Sequence, residues 1–389
     1  MADATISYMG QETEIQDGDL AIIKCENKTL LGDVSVFVHK SKSNLAYILE
    51  STNDTTDRTQ EIVDVLNQYG VCQLGKGVFY VGNLNMPAST TIQGYGRYSI
   101  VKLNPSIKDG YAVQINAACT IQDLAIEGND TSFPTSVGTA HGIILKGTAS
   151  EGTSFAAKWF PTITNCLVQK FSGGGITCHD TGAELLHGLN VTNCKIYLCG
   201  AGINIDFYSE YHRFTNVACY SCFYGCRNNG GNNIFTNCSF SGNTNGMLIQ
   251  QSRNGAHGSA IGCILNHNKQ AIKLEDITLG YVFQGCQVFS DATNSANIDI
   301  TNSQGIVFDG IIFGTEIPIN IYDGGLIMFT NCAFATQYKI KISNNEHIKM
   351  FHCYTWAGAQ VGSSVDIETW EFTVGGEPIE KQMLINKPQ

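Results

Sequence analysis

The chain reads as an all-β protein, a parallel β-helix built from coils about 22–25 residues long with one short capping helix near its start. Three observations predict this. First, a motif of hydrophobic, any, Asn or Gly, Cys, any, hydrophobic returns about every 23 residues. Its Cys slot falls at Cys166, Cys194, Val217, Cys238, Cys263, Cys286, Ile311, Cys332 and Cys353. Second, each coil carries another short strand of alternating polarity, as in Gly202-Ile203-Asn204-Ile205-Asp206 and Pro318-Ile319-Asn320-Ile321-Tyr322. Third, Gly supplies 41 of 389 residues while charged residues make up only 15%, the balance that many short rungs and tight corners produce.

Three columns flank the corner. Three residues before the slot stand Ile163, Val191, Phe214, Phe235, Ala260, Phe283, Phe308, Phe329 and Met350, and two residues after it Val168, Ile196, Cys219, Phe240, Leu265, Val288, Phe313, Phe334 and Thr355. Immediately before the slot stand Asn165, Asn193, Asn216, Asn237, Gly262, Gly285, Gly310, Asn331 and His352. Asn and Gly share tolerance of positive φ, so this column predicts one left-handed corner per coil, with Asn side chains free to bond from coil to coil. The opening strands align on Ile143, Ile176, Ile203, Met247, Ile272, Ile298, Ile319 and Ile340.

In chain order, residues 1–50 form a polar β-type segment without the repeat. Residues 51–72 hold a loop and an amphipathic helix with Ile62, Val65 and Leu66 on one face and Gly70 at its stop. Such a helix plugs the open end of a solenoid, whose last coil otherwise exposes core and strand edges. The coils run over 73–356. Residues 357–389 break the period and read as a terminal hairpin, with Trp370–Val374 and Gln382–Ile385 as its arms.

Composition also excludes classes. A net charge of −11 disfavours nucleic-acid binding, which needs a basic stripe. There is no run of 18 apolar residues to span a membrane. Met1-Ala2-Asp3 opens no recognisable signal peptide. Seven of the 15 cysteines share the inward slot, where they act as small buried hydrophobes rather than disulfide partners. That thiol content without a leader points to synthesis in a reducing cytoplasm. Cys219, Cys222 and Cys226 include a C-x-x-C without a second paired cluster, so no metal and no cofactor is expected.

The runs Thr56-Asp57-Arg58-Thr59-Gln60-Glu61-Ile62, Gly75-Lys76-Gly77-Val78-Phe79-Tyr80-Val81 and Thr91-Ile92-Gln93-Gly94-Tyr95-Gly96 resemble the opening of pectate-lyase-superfamily β-helix proteins. In particular they are similar to the tailspike and tail-fibre members of bacteriophages and prophages. The resemblance covers about residues 51–356. It implies a right-handed helix and a homotrimer that binds bacterial cell-surface polysaccharide and often cleaves it. It also implies a virion tail component whose segment before residue 51 attaches to the particle. The family has no universal catalytic motif, so no residue role is carried over.

The site is therefore argued from stacking. Alignment on the opening strand puts His179, Asp206, Asn229, Gln250 and Glu275 in one outward column. With coils ~4.8 Å apart, Asp180 and Asp206 come within roughly 5–8 Å. Glu210 and His212 follow on the next turn, and Glu184 and His187 occupy the equivalent turn one coil earlier. Asp180, Asp206 and Glu210 are the candidate acid, base or nucleophile of a glycoside hydrolase, since paired carboxylates ~5–5.5 Å apart suit retaining and ~6.5–9.5 Å inverting hydrolysis. His179, His212, Tyr208, Tyr211, Trp159 and Arg213 are the candidate substrate contacts, with Phe155 nearby. The bland reading of these outward polar groups, a solvated edge, stands beside this one. Arg213, Arg227 and Arg253 would instead serve a lyase, a weaker signal. Long loops over Gly128 to Ala140 and Gly147 to Phe160 mark the early coils as the binding region. Three functions stay open: a cleaving tailspike, a receptor-binding tail protein that does not cut, and a bacterial β-helix hydrolase or lyase.

Overall fold

The structure is a computed structural model. It describes residues 5–8, 11–14, 47–52, 54–115, 118–146, 160–179, 186–206, 209–250, 256–289, 298–314, 318–334, 339–343, 348–355, 371–374 and 377–378. The chain divides into two units, Met1–Tyr47 and Ile48–Gln389. Within the first, Thr5–Tyr8 and Gln11–Glu14 pair as an antiparallel hairpin.

The second unit is a parallel β-solenoid of about ten turns. Its one described helix, Thr59–Tyr69, starts where the Asp57 carboxylate accepts the Thr59 N–H at 2.8 Å. It stops at Gly70, whose φ of 75° is left-handed and whose N–H reaches the Leu66 carbonyl at 2.8 Å. Ile62, Val65 and Leu66 are buried, and the helix packs on the first-coil strands Val71–Leu74 and Leu84–Asn85.

Each later coil contributes three strands. The opening strand stacks in register through Ile143, Ile176, Ile203, Cys226, Met247, Ile272, Ile298 and Ile319, which fill the core, and on to Ile340. A pre-corner strand stacks Ile163 on Val191, Phe214, Phe235, Ala260, Phe283, Phe308 and Phe329. A post-corner strand follows the Asn/Gly corner. The aromatic rings stack face to face: Phe214 on Phe235 at 5.0 Å, Phe283 on Phe308 at 5.2 Å, Phe308 on Phe329 at 5.0 Å and Phe313 on Phe334 at 4.8 Å.

The corner column is left-handed throughout, with φ of 52–63° at Asn165, Asn193, Asn216, Asn237, Gly262, Gly285, Gly310, Asn331 and His352. Its amides bond along the axis. Asn165 Nδ2 donates to Asp123 Oδ1 at 2.9 Å, Asn193 Nδ2 to Asn165 Oδ1 at 3.3 Å, and Asn216 Nδ2 to Asn193 Oδ1 at 2.8 Å. All fourteen described cysteines are buried free thiols. The slot prefers Cys for a reason beyond size. Its S–H donates to the carbonyl three residues before the slot of the preceding coil, as Cys238 does to Phe214 O, Cys286 to Ala260 O and Cys332 to Phe308 O, each at 3.3 Å. Cys219, Cys222 and Cys226 lie in the same core.

At the far end Glu371–Val374 joins the opening sheet in parallel and turns back antiparallel onto Glu377–Pro378. Gln382–Ile385, the expected second arm, lies outside the described residues. Among the described residues no helix is long and apolar enough to cross a membrane.

Candidate functional site

Two outward columns run up the opening sheet. One passes Lys146, His179, Asp206, Asn229, Gln250, Glu275, Thr301 and Tyr322; the other, two residues earlier, passes Thr177, Asn204, Arg227, Leu248, Lys273, Asp299 and Asn320. The backbone repeats from coil to coil, with Asp206 N–H on Cys178 O at 3.0 Å and Asn229 N–H on Ile205 O at 2.9 Å. Those two side chains therefore start one coil step, ~4.8 Å, apart.

The upper and lower coils of this face differ in chemistry. In the later coils the carboxylates are satisfied by the protein. Glu275 takes the Gln250 amide and the Lys273 ammonium. Asp299 takes Gln270 Nε2 at 2.7 Å and Asn320 Nδ2 at 2.9 Å. Around Asp206 the floor is buried without being satisfied. Thr177, Asn204 and Asn229 are 2%, 5% and 6% exposed although they face outward. Among the described residues, Asn204 Oδ1 and Asn229 Oδ1 have no hydrogen-bond partner, nor does the buried Ser209 Oγ in the adjoining loop. An unmet buried acceptor costs about 1–3 kcal/mol, so such atoms mark places for water or for a ligand's donors.

His141 sets one border of this floor. Its Nδ1 accepts the Gly174 N–H at 2.9 Å and lies 3.0 Å from Thr177 Oγ1, so a neutral ring carries its proton on Nε2. A side chain on Gly174 would collide with Thr177 Oγ1, and its Cβ would lie 3.3 Å from Asn204 Cβ. The glycine is what lets these groups converge.

The loop after Asp206 turns tightly, Ser209 N–H reaching Asp206 O at 3.3 Å. Asp206 and Glu210 are both half-buried. Ser209–Glu210 pairs in parallel with Leu186–His187, which places Glu210 beside His187 in register. On its other side Glu210 Oε1 lies 3.0 Å, and His257 Nδ1 2.9 Å, from the point a Cβ on Gly231 would occupy. Glu210 and His257 thus approach each other across Gly231. Burial, and behind it the Asp206 charge, push the Cys178 thiol up.

One of the expected contacts is corrected. His212 is fully buried, its Nδ1 accepting Leu189 N–H at 3.0 Å and its own N–H donating to Asn233 Oδ1 at 2.9 Å. It belongs with Asn233 and Asn228 to an internal polar corner and presents nothing to a substrate. Arg213 is exposed but opens the pre-corner strand Arg213–Thr215, in register with Ile234. His179 and Asp206 each follow a residue of the paired Cys178 and Ile205, and Tyr211 stands in the loop with a φ of 61°. Asp180, Glu184, Tyr208, Phe155, Trp159 and Arg253 lie outside the described residues. Sequence reasoning missed His141, Asn204, His257 and Phe160. Only a correct register, which a motif count does not give, brings them to this face.

No family model matches the chain, and no curated protein matches it in sequence. Solved structures do. Full-length tailspike protein 2 of Escherichia coli O157:H7 bacteriophage CAB120 is 14% identical with a TM-score of 0.52, the match covering 78% of this chain and 43% of that one. The N-terminal fragment of bacteriophage Phi29 gene product 12 is 14% identical with a TM-score of 0.52, covering 77% and 64%. The A-module of Azotobacter vinelandii mannuronan C-5 epimerase AlgE4 is 14% identical with a TM-score of 0.46, covering 83% and 92%. The chain thus spans less than two thirds of the two phage structures. At these identities the likeness establishes the parallel β-helix fold.

Proposed function

We propose that this chain binds a bacterial surface polysaccharide on the outward face of the opening sheet, over the coils from His141 to Asn229, in the manner of a phage tailspike. The observation that carries the reading is the pair of buried, unsatisfied amide oxygens on Asn204 and Asn229 beside a half-buried Asp206. A few coils later the polar side chains of the same face are hydrogen-bonded to one another. A sugar offers the hydroxyl donors this floor lacks. The similarity in fold to a tailspike protein is in keeping with it. A homotrimer, and attachment to a virion through the N-terminal segment, belong to the same proposal.

If the protein cuts what it binds, Asp206 is the carboxylate on the floor, and Glu210 or Asp180 supplies the second group. Their separation would choose between retaining and inverting hydrolysis. The partner in the drier setting would keep its proton and act as the acid. Retardation in gels containing O-antigen or capsular polysaccharides tests binding, and release of new reducing ends tests cleavage. Asp206→Asn is expected to abolish cleavage while leaving fold and retardation. A wild type that is retarded but releases no ends is a receptor-binding protein. A wild type that is never retarded contradicts the proposal.

A further inference from the structure

The turn that follows the opening sheet forms a column of its own. Reading two residues upstream from the paired positions Thr162, Asn190, Arg213, Ile234 and Ser259 gives Phe160, Gly188, Tyr211, Asn232 and His257. Earlier coils place Ser89 and Ala118 here, and later ones Gly280 and Gly305. Seven of these nine residues are left-handed, with φ of 60° at Ser89 and Ala118, 76° at Gly188, 61° at Tyr211, 53° at Asn232, 86° at Gly280 and 69° at Gly305. Every one of these left-handed residues is small or Asn except Tyr211. A bulky side chain in that region costs of order 1–3 kcal/mol and persists where the surrounding structure holds it.

The rings alternate with small residues. Phe160 is exposed, and its ring covers Gly188, so close that no Cβ could be added there. Tyr211 stands one coil above Gly188, and Asn232 separates it from His257. Glu210 lies between the two, against Gly231 and within reach of His257. From Phe160 to Tyr211, and again from Tyr211 to His257, is two coil steps, roughly 9.6 Å along the axis.

From this spacing, and resting on the polysaccharide reading above, we infer that the ligand is an extended glycan lying parallel to the solenoid axis. Phe160, Tyr211 and His257 support alternate sugars of that glycan, and Glu210 accepts hydroxyls between the upper two rings. A flat ring face presents apolar surface to the C–H face of a pyranose, and a step of two coils leaves room for two linked sugars. The ladder is ~19 Å long, enough for about four or five units.

The test uses oligosaccharides of graded length, made by partial acid hydrolysis of whichever O-antigen or capsular polysaccharide retards the full chain. Wild-type affinity should climb with length and level off at about four to five sugars. Phe160→Ala, Tyr211→Asn and His257→Ala should each weaken the long oligosaccharides about tenfold and flatten the length dependence. Tyr211→Asn copies the residue of the next coil, so it should melt no lower than wild type while binding less. Affinity that does not grow beyond a disaccharide, or three variants that bind as wild type does, would overturn the ladder while leaving the glycan reading intact. A wild type retarded by none of the polysaccharides removes both.

Discussion

Replacing Asn193 separates the two reasons why Asn recurs at the corner. Its side chain makes two ladder bonds, giving to Asn165 Oδ1 at 3.3 Å and accepting from Asn216 Nδ2 at 2.8 Å. It is exposed, so each bond is worth about 0.5–1 kcal/mol. Its φ is 54°, and an alanine held there costs roughly a further 1–2 kcal/mol. Asn193→Ala should therefore destabilise by about 2–4 kcal/mol. Asn193→Gly loses the same bonds and relieves the backbone, at the cost of ~0.5–1 kcal/mol from a freer unfolded chain, and should destabilise less, by about 1.5–2 kcal/mol. Gly285 supplies the complement. Its φ is 59° and nothing lies within 4 Å of an added Cβ, so Gly285→Ala isolates the backbone cost at about 1 kcal/mol. Urea unfolding of the four proteins gives these differences. An Asn193→Gly protein as damaged as Asn193→Ala, together with a neutral Gly285→Ala, would refute the left-handed corner as the reason for the column.

Two further outcomes follow from the core. Phe308 is fully buried between Phe283 and Phe329, so Phe308→Ala should lower the unfolding free energy by about 3–5 kcal/mol, read by the same titration. Burial pushes the Cys72 thiol up to about 12, and hydrogen bonding to Cys238, then burial, do the same for Cys263. Cys72 and Cys263 should therefore stay protonated in the native state even at pH 9, and the described thiols, all buried, should be silent to a thiol reagent until the chain unfolds. All 15 cysteines of the chain should react after unfolding without reductant. Fewer than about half reacting would mean disulfides in place of the column of free thiols.

The core was legible because solenoid packing repeats. The slots of Cys238 and Phe308 recur in many coils, so misreading one coil does not change the register. Even the coil left out of the opening-strand alignment fits once Cys226 is placed beside Ile203. The candidate site was legible only where it shares that period. Asp206 and Asn229 fall in one column because both end an opening strand. Arg213 and His212 look like their neighbours in sequence, yet Arg213 is exposed at the start of a strand while His212 is buried in the interior. No local pattern distinguishes a polar residue that caps an internal corner from one that meets solvent. His257 and Phe160 were invisible for the opposite reason: they act with residues two coils away, and only the paired strands bring them together.

A glycan is expected to lie over the Asp206 coil. A crystal structure of the protein soaked with an oligosaccharide of the polysaccharide it retains tests this most directly. Sugar density is expected over Asn204, Asp206 and Asn229, running along the axis past Phe160 and Tyr211. Density confined to the post-corner face, with the Asp206 floor holding only water, would contradict the account.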